Sequence, residues 1–326
     1  MLEIELIDVL RGRKKHIWQA FLSKSGLNAG ECIDSTVLIW DNDELIATGS
    51  RQGNLLKCIA VDANHQGEGL TGMLLTHLRQ DAFAHGHKHL FLYTKPGNNY
   101  LFSSLFFYPI AQTEQVLLME NQRSGIQSFL DTLEVPCKEG KIGALVMNCN
   151  PFTLGHRYLI ETAARECDWV YVFVLSEEQP PFPAADRLML VKEGTRALPN
   201  VTVHPTGPYL ISSATFPTYF LPNREQAAEV HCLLDIAVFS KYFIPKFGIT
   251  TRYVGTEPLS PMTQQYNDAL RQNLPIELRE IPRLEADGQP VSASAVRTLM
   301  GCAPEQLKTL VPPTTLHYLN HFHKEV

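Results

Sequence analysis

The chain has 326 residues, 44% of them apolar and 19% charged, with a formal net charge of -6. Two domains of roughly 100 to 200 residues are expected at this length, and the composition excludes a largely disordered chain. A mildly acidic chain also lacks the basic field that nonspecific nucleic-acid binding needs, so any polyanion it holds is expected to be small and locally gripped, as a nucleotide is.

No apolar run of roughly 18 residues is present, and Met1-Leu2-Glu3-Ile4-Glu5 lacks the layout of a signal peptide. A cytoplasmic protein with no membrane partner is expected. Cysteines 32, 58, 137, 149, 167, 232 and 302 are scattered without a C-x-x-C pair, which argues for reduced thiols over a zinc knuckle or a disulfide framework.

In chain order, residues 35–40, 44–50 and 54–61 read as strands with a turn at Asp41-Asn42-Asp43. A helix over 70–84 and a strand over 90–94 follow, giving an α+β pattern. Between the last two, His85, His87 and His89 are read as solvent-facing, since two histidines alone rarely make a closed metal site. The run Ile59 to Gly72, with Gln66, Gly67 and Gly69, passes from a strand through a glycine-rich turn into a helix, where successive amides make a nest for a pyrophosphate. A polar stretch at 121–125 and the proline, glycine and charge of 135–141 bracket a linker over 126–140, with a short helix over 126–133. Domains are therefore expected over 1–125 and 141–326.

Downstream, strands over 142–147, 170–175 and 201–204 alternate with helices over 156–166 and 186–198, which implies a parallel sheet covered by helices. Later strands are expected over 233–238, 252–254 and 276–281, and a helix over 294–300. Ligands of such sheets sit beyond the carboxyl ends of the strands.

The loop after the first of these strands reads Asn148-Cys149-Asn150-Pro151-Phe152-Thr153-Leu154-Gly155-His156. Asn150-Pro151 makes a turn, and Gly155 lets backbone approach a ligand at a helix start that favours phosphate. His156 can donate to a departing pyrophosphate and Thr153 adds a hydroxyl; a turn with a capping Thr and a satisfied His is the alternative. Near the other end, Val291-Ser292-Ala293-Ser294-Ala295-Val296-Arg297 puts two hydroxyls at a helix start and an Arg on the face of Ser294, or is an ordinary capped helix. Gly255 and Glu257 follow another strand, and Asp186-Arg187 precedes a helix where a surface ion pair is the other reading. No carboxylate cluster offers a dedicated metal site, so Mg2+ is expected to arrive with ATP.

Together the two motifs resemble the T/H-x-G-H loop and the I-S-x-S-x-x-R segment of the nucleotidyltransferase superfamily, with Thr153 and Val291 as departures from the commoner residues. The Gln66 to Gly72 loop, with the aromatic segment 100–108, resembles the coenzyme-A-binding loop of the GNAT acetyltransferase fold, Thr71 standing where a small residue is usual. The combination is similar to the citrate lyase ligase family across nearly the whole chain, including 209–220 and 231–236. The resemblance implies an α/β protein with an amino-terminal GNAT-like α+β domain and a Rossmann-like nucleotidyltransferase domain. It implies an ATP-dependent ligase that activates acetate as acetyl-AMP. The acetyl group then passes to the thiol of a CoA-like prosthetic group on the acyl carrier (gamma) subunit of citrate lyase, leaving AMP and pyrophosphate.

The same resemblance assigns His156, Thr153 and Arg297 to catalysis. Asn150, Pro151, Phe152, Gly155, Arg187, Gly255, Glu257, Ser292 and Ser294 go to the nucleotide, and Gln66, Gly67 and Gly69 to the CoA-like arm. Residues 209–221 are a candidate wall for the acetate pocket or an ordinary packing loop. A phosphopantetheine-type adenylyltransferase and a CoA-binding module without catalysis are the competing functions.

Overall fold

The computed structural model describes residues 2–30, 32–212, 216–221, 224–256, 261–286, 288–300 and 304–322, with the side chains of 224–226, 261–263 and 304 left aside. The chain divides into two compact units, the first made of residues 1–125 with 216–234, the second of 126–215 with 235–326. The stretch 216–234 thus clusters with the amino-terminal unit, although in sequence it lies inside 141–326.

The first unit is built on β1 (Leu2–Ile7), β2 (Ser35–Asp41), β3 (Glu44–Gln52), β4 (Leu55–Val61), β5 (Phe91–Thr94), β6 (Tyr108–Gln112) and β7 (Leu117–Glu120), with helices α1 (Gly12–Lys24), α2 (Leu70–Ala84) and α3 (Asn99–Ser104). The strands form one sheet in the order β1-β2-β3-β4-β5-β7-β6. Leu70, Leu74, Leu75, Leu78 and Ala82 line one stripe of α2 at helical spacing and bury against Val37, Ile39, Ile46 and Leu92 of the sheet. Neighbouring strands run antiparallel except β4 and β5, which pair in parallel only at Leu55↔Phe91 and Leu56↔Leu92. Beyond those two pairs no ladder joins them, and the gap between their carboxyl ends is where this unit has its cavity. His89 departs from the solvent-facing expectation: its Nε2 lies 2.6 Å from Glu120 Oε2 and its ring rests on Phe91.

The second unit carries β8 (Ile142–Met147), β9 (Trp169–Val174), β10 (Val201–Pro205), β11 (Thr251–Gly255) and β12 (Glu277–Ile281), with a short hairpin of β13 (Glu285–Ala286) and β14 (Gln289–Pro290). All five main strands are parallel, in the order β10-β9-β8-β11-β12. Strand order reverses between β8 and β11, and a ligand cleft is expected outside the carboxyl ends at such a switch point. Its helices are α4 (Gly125–Asp131), α5 (Leu154–Glu166), α6 (Ala184–Thr195), α8 (Ile244–Phe247), α9 (Pro261–Asn273), α10 (Ala293–Leu299), α11 (Pro304–Leu307) and α12 (Pro313–Phe322), while α7 (Arg224–Val238) begins in the first unit and ends in this one. Residues 233–238, expected as a strand, are instead the last turns of α7. A short, mostly apolar run broken only by Asp235 cannot by itself separate a strand from the buried side of a helix, and here the run continues a helix that starts nine residues earlier.

Candidate active site

Thr153, in extended backbone, is the N-cap of α5 and is 1% exposed. Its hydroxyl accepts the His156 N–H at 3.3 Å, and its own N–H donates to His156 Nδ1 at 3.1 Å, a capping box with His in the place usually held by Glu or Gln. A backbone N–H can only donate, so Nδ1 is the acceptor nitrogen and the proton of the neutral ring resides on Nε2. Burial, with a smaller push from the Arg283 charge, lowers the His156 pKa from 6.5 to about 4. The ring is therefore a neutral donor at physiological pH. The helix-cap reading of this loop is realised, and capping is what orients the imidazole.

Beneath the loop, Phe152 is fully buried and stacks on His156 at a centroid separation of 6.1 Å. It fits because residue 194 is glycine, where a Cβ would fall 2.4 Å from the Phe152 ring. Arg187, also fully buried, donates to the carbonyls of Asn148 and Glu177 and to Asn148 Oδ1. It is no surface ion pair. An irregular buried loop leaves carbonyls that a helix or sheet would have satisfied, and Arg187 supplies their donors. Phe152, Arg187 and buried Pro151 thus support the loop from below and do not line the cavity above it.

The second motif meets the first there. Ser292 caps α10 by accepting the Ala295 N–H at 3.1 Å, and buried Val296 docks the helix against Phe182, Val311 and Leu319. With Val296 turned inward, Arg297 donates to the carbonyl of Asn150 and to Ser294 Oγ, the latter at 2.9 Å. Gly155 explains how close the segments come: a Cβ on it would sit 2.8 Å from the carbonyl oxygen of Val291. A cavity of about 650 Å³ results at the carboxyl ends of β8, β11 and β12. Asn150, Thr153, Gly155 and His156 line it from one side, with Gly255, Ser292, Ser294 and Arg297 completing the wall. Glu257 lies outside the described residues.

Sequence reasoning passed over two further cations of this cavity, Arg252 and Arg283. Arg283, two residues beyond β12, donates from Nε to the Thr256 carbonyl at 2.9 Å, and burial lowers its pKa. The signal that could have found it is a charged residue just past the carboxyl end of a parallel strand. Among the described residues no group of three or more His, Cys, Asp or Glu is placed to hold a metal ion.

In the first unit a cavity of about 770 Å³ opens between β4 and β5. Gln66, Gly67 and Gly69 line its rim, with φ of +89° at Gly67 and +77° at Gly69, a left-handed region that favours glycine. Tyr219 and Phe220 line this cavity too, and the Tyr219 hydroxyl donates to the Tyr93 carbonyl at 2.7 Å. Tyr209 is buried against Phe129. The described part of 209–221 therefore does not line the carboxyl-terminal cavity, which corrects its candidacy as an acetate wall there; residues 213–215 lie outside the described residues.

The family model for the citrate lyase ligase C-terminal domain matches residues 142–319, and that of the acetyltransferase (GNAT) family matches 13–101. A citrate (pro-3S)-lyase ligase from Klebsiella pneumoniae is 43% identical over 309 residues, covering 92% of this chain and 90% of that protein. The chain belongs to the citrate lyase ligase family. A family member from Escherichia coli (strain K12), of the same name, is 40% identical over 314 residues, covering 92% of this chain and 89% of its own. A phosphopantetheine adenylyltransferase from Symbiobacterium thermophilum is similar over 56 residues only, at 45% identity, which is 17% of this chain and 35% of that protein. These two ligases match nearly end to end, and the match to the cofactor adenylyltransferase is local. Among the described residues no helix is long and apolar enough to cross a membrane.

Proposed function

We propose that the chain activates acetate with ATP and transfers the acetyl group to the thiol of the CoA-like arm on the acyl carrier subunit of citrate lyase, acting in the cytoplasm with Mg2+ brought in on the nucleotide. The observation that carries this reading is the joining of two distant segments at one cavity, where Arg297 donates to the Asn150 carbonyl and Gly155 lies against Val291. Two helix starts, a neutral imidazole donor and a guanidinium then surround the space where a triphosphate would lie.

In the first step an acetate oxygen bonds to the α phosphorus as the bond from that phosphorus to the β-bridging oxygen breaks, releasing pyrophosphate and forming acetyl-AMP. His156 Nε2–H, Ser294 and Arg297 stabilise the charge on the departing group, while Thr153 holds the imidazole in its donating tautomer. In the second step the carrier thiolate adds to the acyl carbon, the acyl C–O bond breaks, and AMP leaves with the electron pair; the thiol proton goes to solvent. The glycine loop of Gln66, Gly67 and Gly69 grips the pyrophosphate of the CoA-like arm.

The test is exchange of labelled pyrophosphate into ATP. Exchange that requires acetate but not the carrier supports the reading. Exchange that requires a phosphopantetheine-like acceptor supports a cofactor adenylyltransferase, and a preparation that binds ATP without any exchange supports a binding module.

A further inference from the structure

The carboxyl-terminal cavity holds a cation to which the handling of a triphosphate gives no task. Arg252 lies on β11, an interior strand, where it registers with Ala144 of β8 and Leu278 of β12. It is 2% exposed and lines the cavity. Its guanidinium carbon sits 4.5 Å from the centre of the Phe239 ring, and buried Nε has no hydrogen-bond partner. Its neighbours in the cavity are engaged differently: Arg297 is bonded to Asn150 and Ser294, and Arg283 to Thr256. Asp235 acts on Arg252 electrostatically, yet Asp235 Oδ2 accepts the Tyr266 hydroxyl at 2.6 Å, and among the described residues no ion pair joins it to Arg252.

A buried guanidinium with donors to spare is costly unless an acceptor completes it, and it stays charged because arginine does not deprotonate in proteins. The missing acceptor must be an anion small enough for an enclosed position. It must also be singly charged, since Asp235 nearby would repel a phosphate dianion more strongly than a monoanion. A planar carboxylate meets both conditions and matches the guanidinium fork. Successive strand residues face opposite sides, and Tyr253 faces α5, where its hydroxyl donates to Glu166 at 2.9 Å. Arg252 therefore faces away from α5, the helix whose start bears His156.

We propose that Arg252 is the residue that binds the carboxylate of the acid substrate, a monocarboxylate of the size of acetate. This rests on the acid-activating function above, and the test separates the two. Arg252→Gln and Arg252→Lys are compared with the unaltered protein in acetate-dependent pyrophosphate exchange, with ATP affinity measured by calorimetry in the absence of acetate. The expected result for Arg252→Gln is a rise in the KM for acetate of about 10- to 100-fold, the loss of a charge-assisted pair, with ATP affinity within about twofold of the unaltered protein. Arg252→Lys keeps the charge without the fork and is expected to raise the same KM by about 10-fold. If Arg252→Gln fails to fold, the lysine variant decides alone. An unchanged acetate KM in a folded variant, or a parallel loss of ATP affinity, overturns the assignment while leaving acid activation standing. If the unaltered protein binds ATP yet shows no acetate-dependent exchange, the activation reading falls and this assignment falls with it.

Discussion

Gly155 at the start of α5 and Gly69 before α2 both stand where a loop enters a helix beside a cavity, and both are needed, for unlike reasons. At Gly69 a Cβ would meet nothing within 4 Å, but the backbone has φ of +77°. Conformation demands the glycine there. At Gly155 the backbone is ordinary, but a Cβ would sit 2.8 Å from the Val291 carbonyl. Space demands it, and the space belongs to a segment more than a hundred residues away. The amino-terminal loop is thus a local turn whose shape is its own, whereas the carboxyl-terminal loop has its shape only because a second motif packs on it.

The difference can be broken by substitution. His156→Ala removes the one neutral donor that the capping box aims, and adenylation is expected to fall by about 10²- to 10³-fold while ATP affinity changes little. Single-turnover rates set against binding constants measure this, and equal losses in both would mean that His156 only holds the ground state. Gly155→Ala comes next. Backbone, unlike a flexible side chain, has little room to yield, so stability should drop by about 1–3 kcal/mol in denaturant melts. Adenylation should drop by up to about 10²-fold as the motifs are pushed apart. A normal exchange rate in that variant would show that the apposition of Gly155 and Val291 does not matter.

Gly69→Ala should do less. The added methyl is free of contacts, and the left-handed backbone costs about 1–2 kcal/mol for a residue with a Cβ. The KM for the carrier is expected to rise several-fold with acetate-dependent exchange unaltered. A change in exchange equal to that of Gly155→Ala would erase the contrast between the two loops.

Both loops were legible in the sequence because each is continuous: a strand, a glycine-bearing turn and a helix fall within about fifteen residues, and turn chemistry with helix capping dictates them locally. The order of the parallel strands was not, since it depends on which edges pair. Residues 233–238 misled because apolarity alone does not set a period. Arg187 was placed among the ligand-binding residues because its position near the loop was readable, but not its burial, which turns its two Nη groups onto Asn148 and Glu177 beneath the loop. Arg252 was passed over because one charge at the start of a strand expected over 252–254 looks like an outward-facing residue. Only the sheet, with β11 placed between β8 and β12, turns that charge into the interior.

The smallest expected effect concerns the proton on His156, and it sharpens the comparison because the role proposed for the amino-terminal loop assigns no task to an imidazole. With the folded pKa lowered from 6.5 to about 4, the unfolded chain takes up a proton below pH 6.5 that the folded protein refuses until about pH 4. The contribution of this residue is therefore fully present above pH 6.5 and is lost as pH falls through that window. Denaturant melts from pH 7 to pH 4.5 should show a shallower loss of stability in His156→Ala than in the unaltered protein, by at most one proton's worth of slope. Nitrogen-15 spectra of labelled histidine should place the proton of this ring on Nε2 throughout pH 5.5 to 8, with no titration in that range. A ring that titrates near its ordinary pKa would mean that the cavity is wetter than its geometry implies. Protonation of Nδ1 would also break the bond from the Thr153 N–H, so the acidic limb of adenylation should follow the loss of that tautomer.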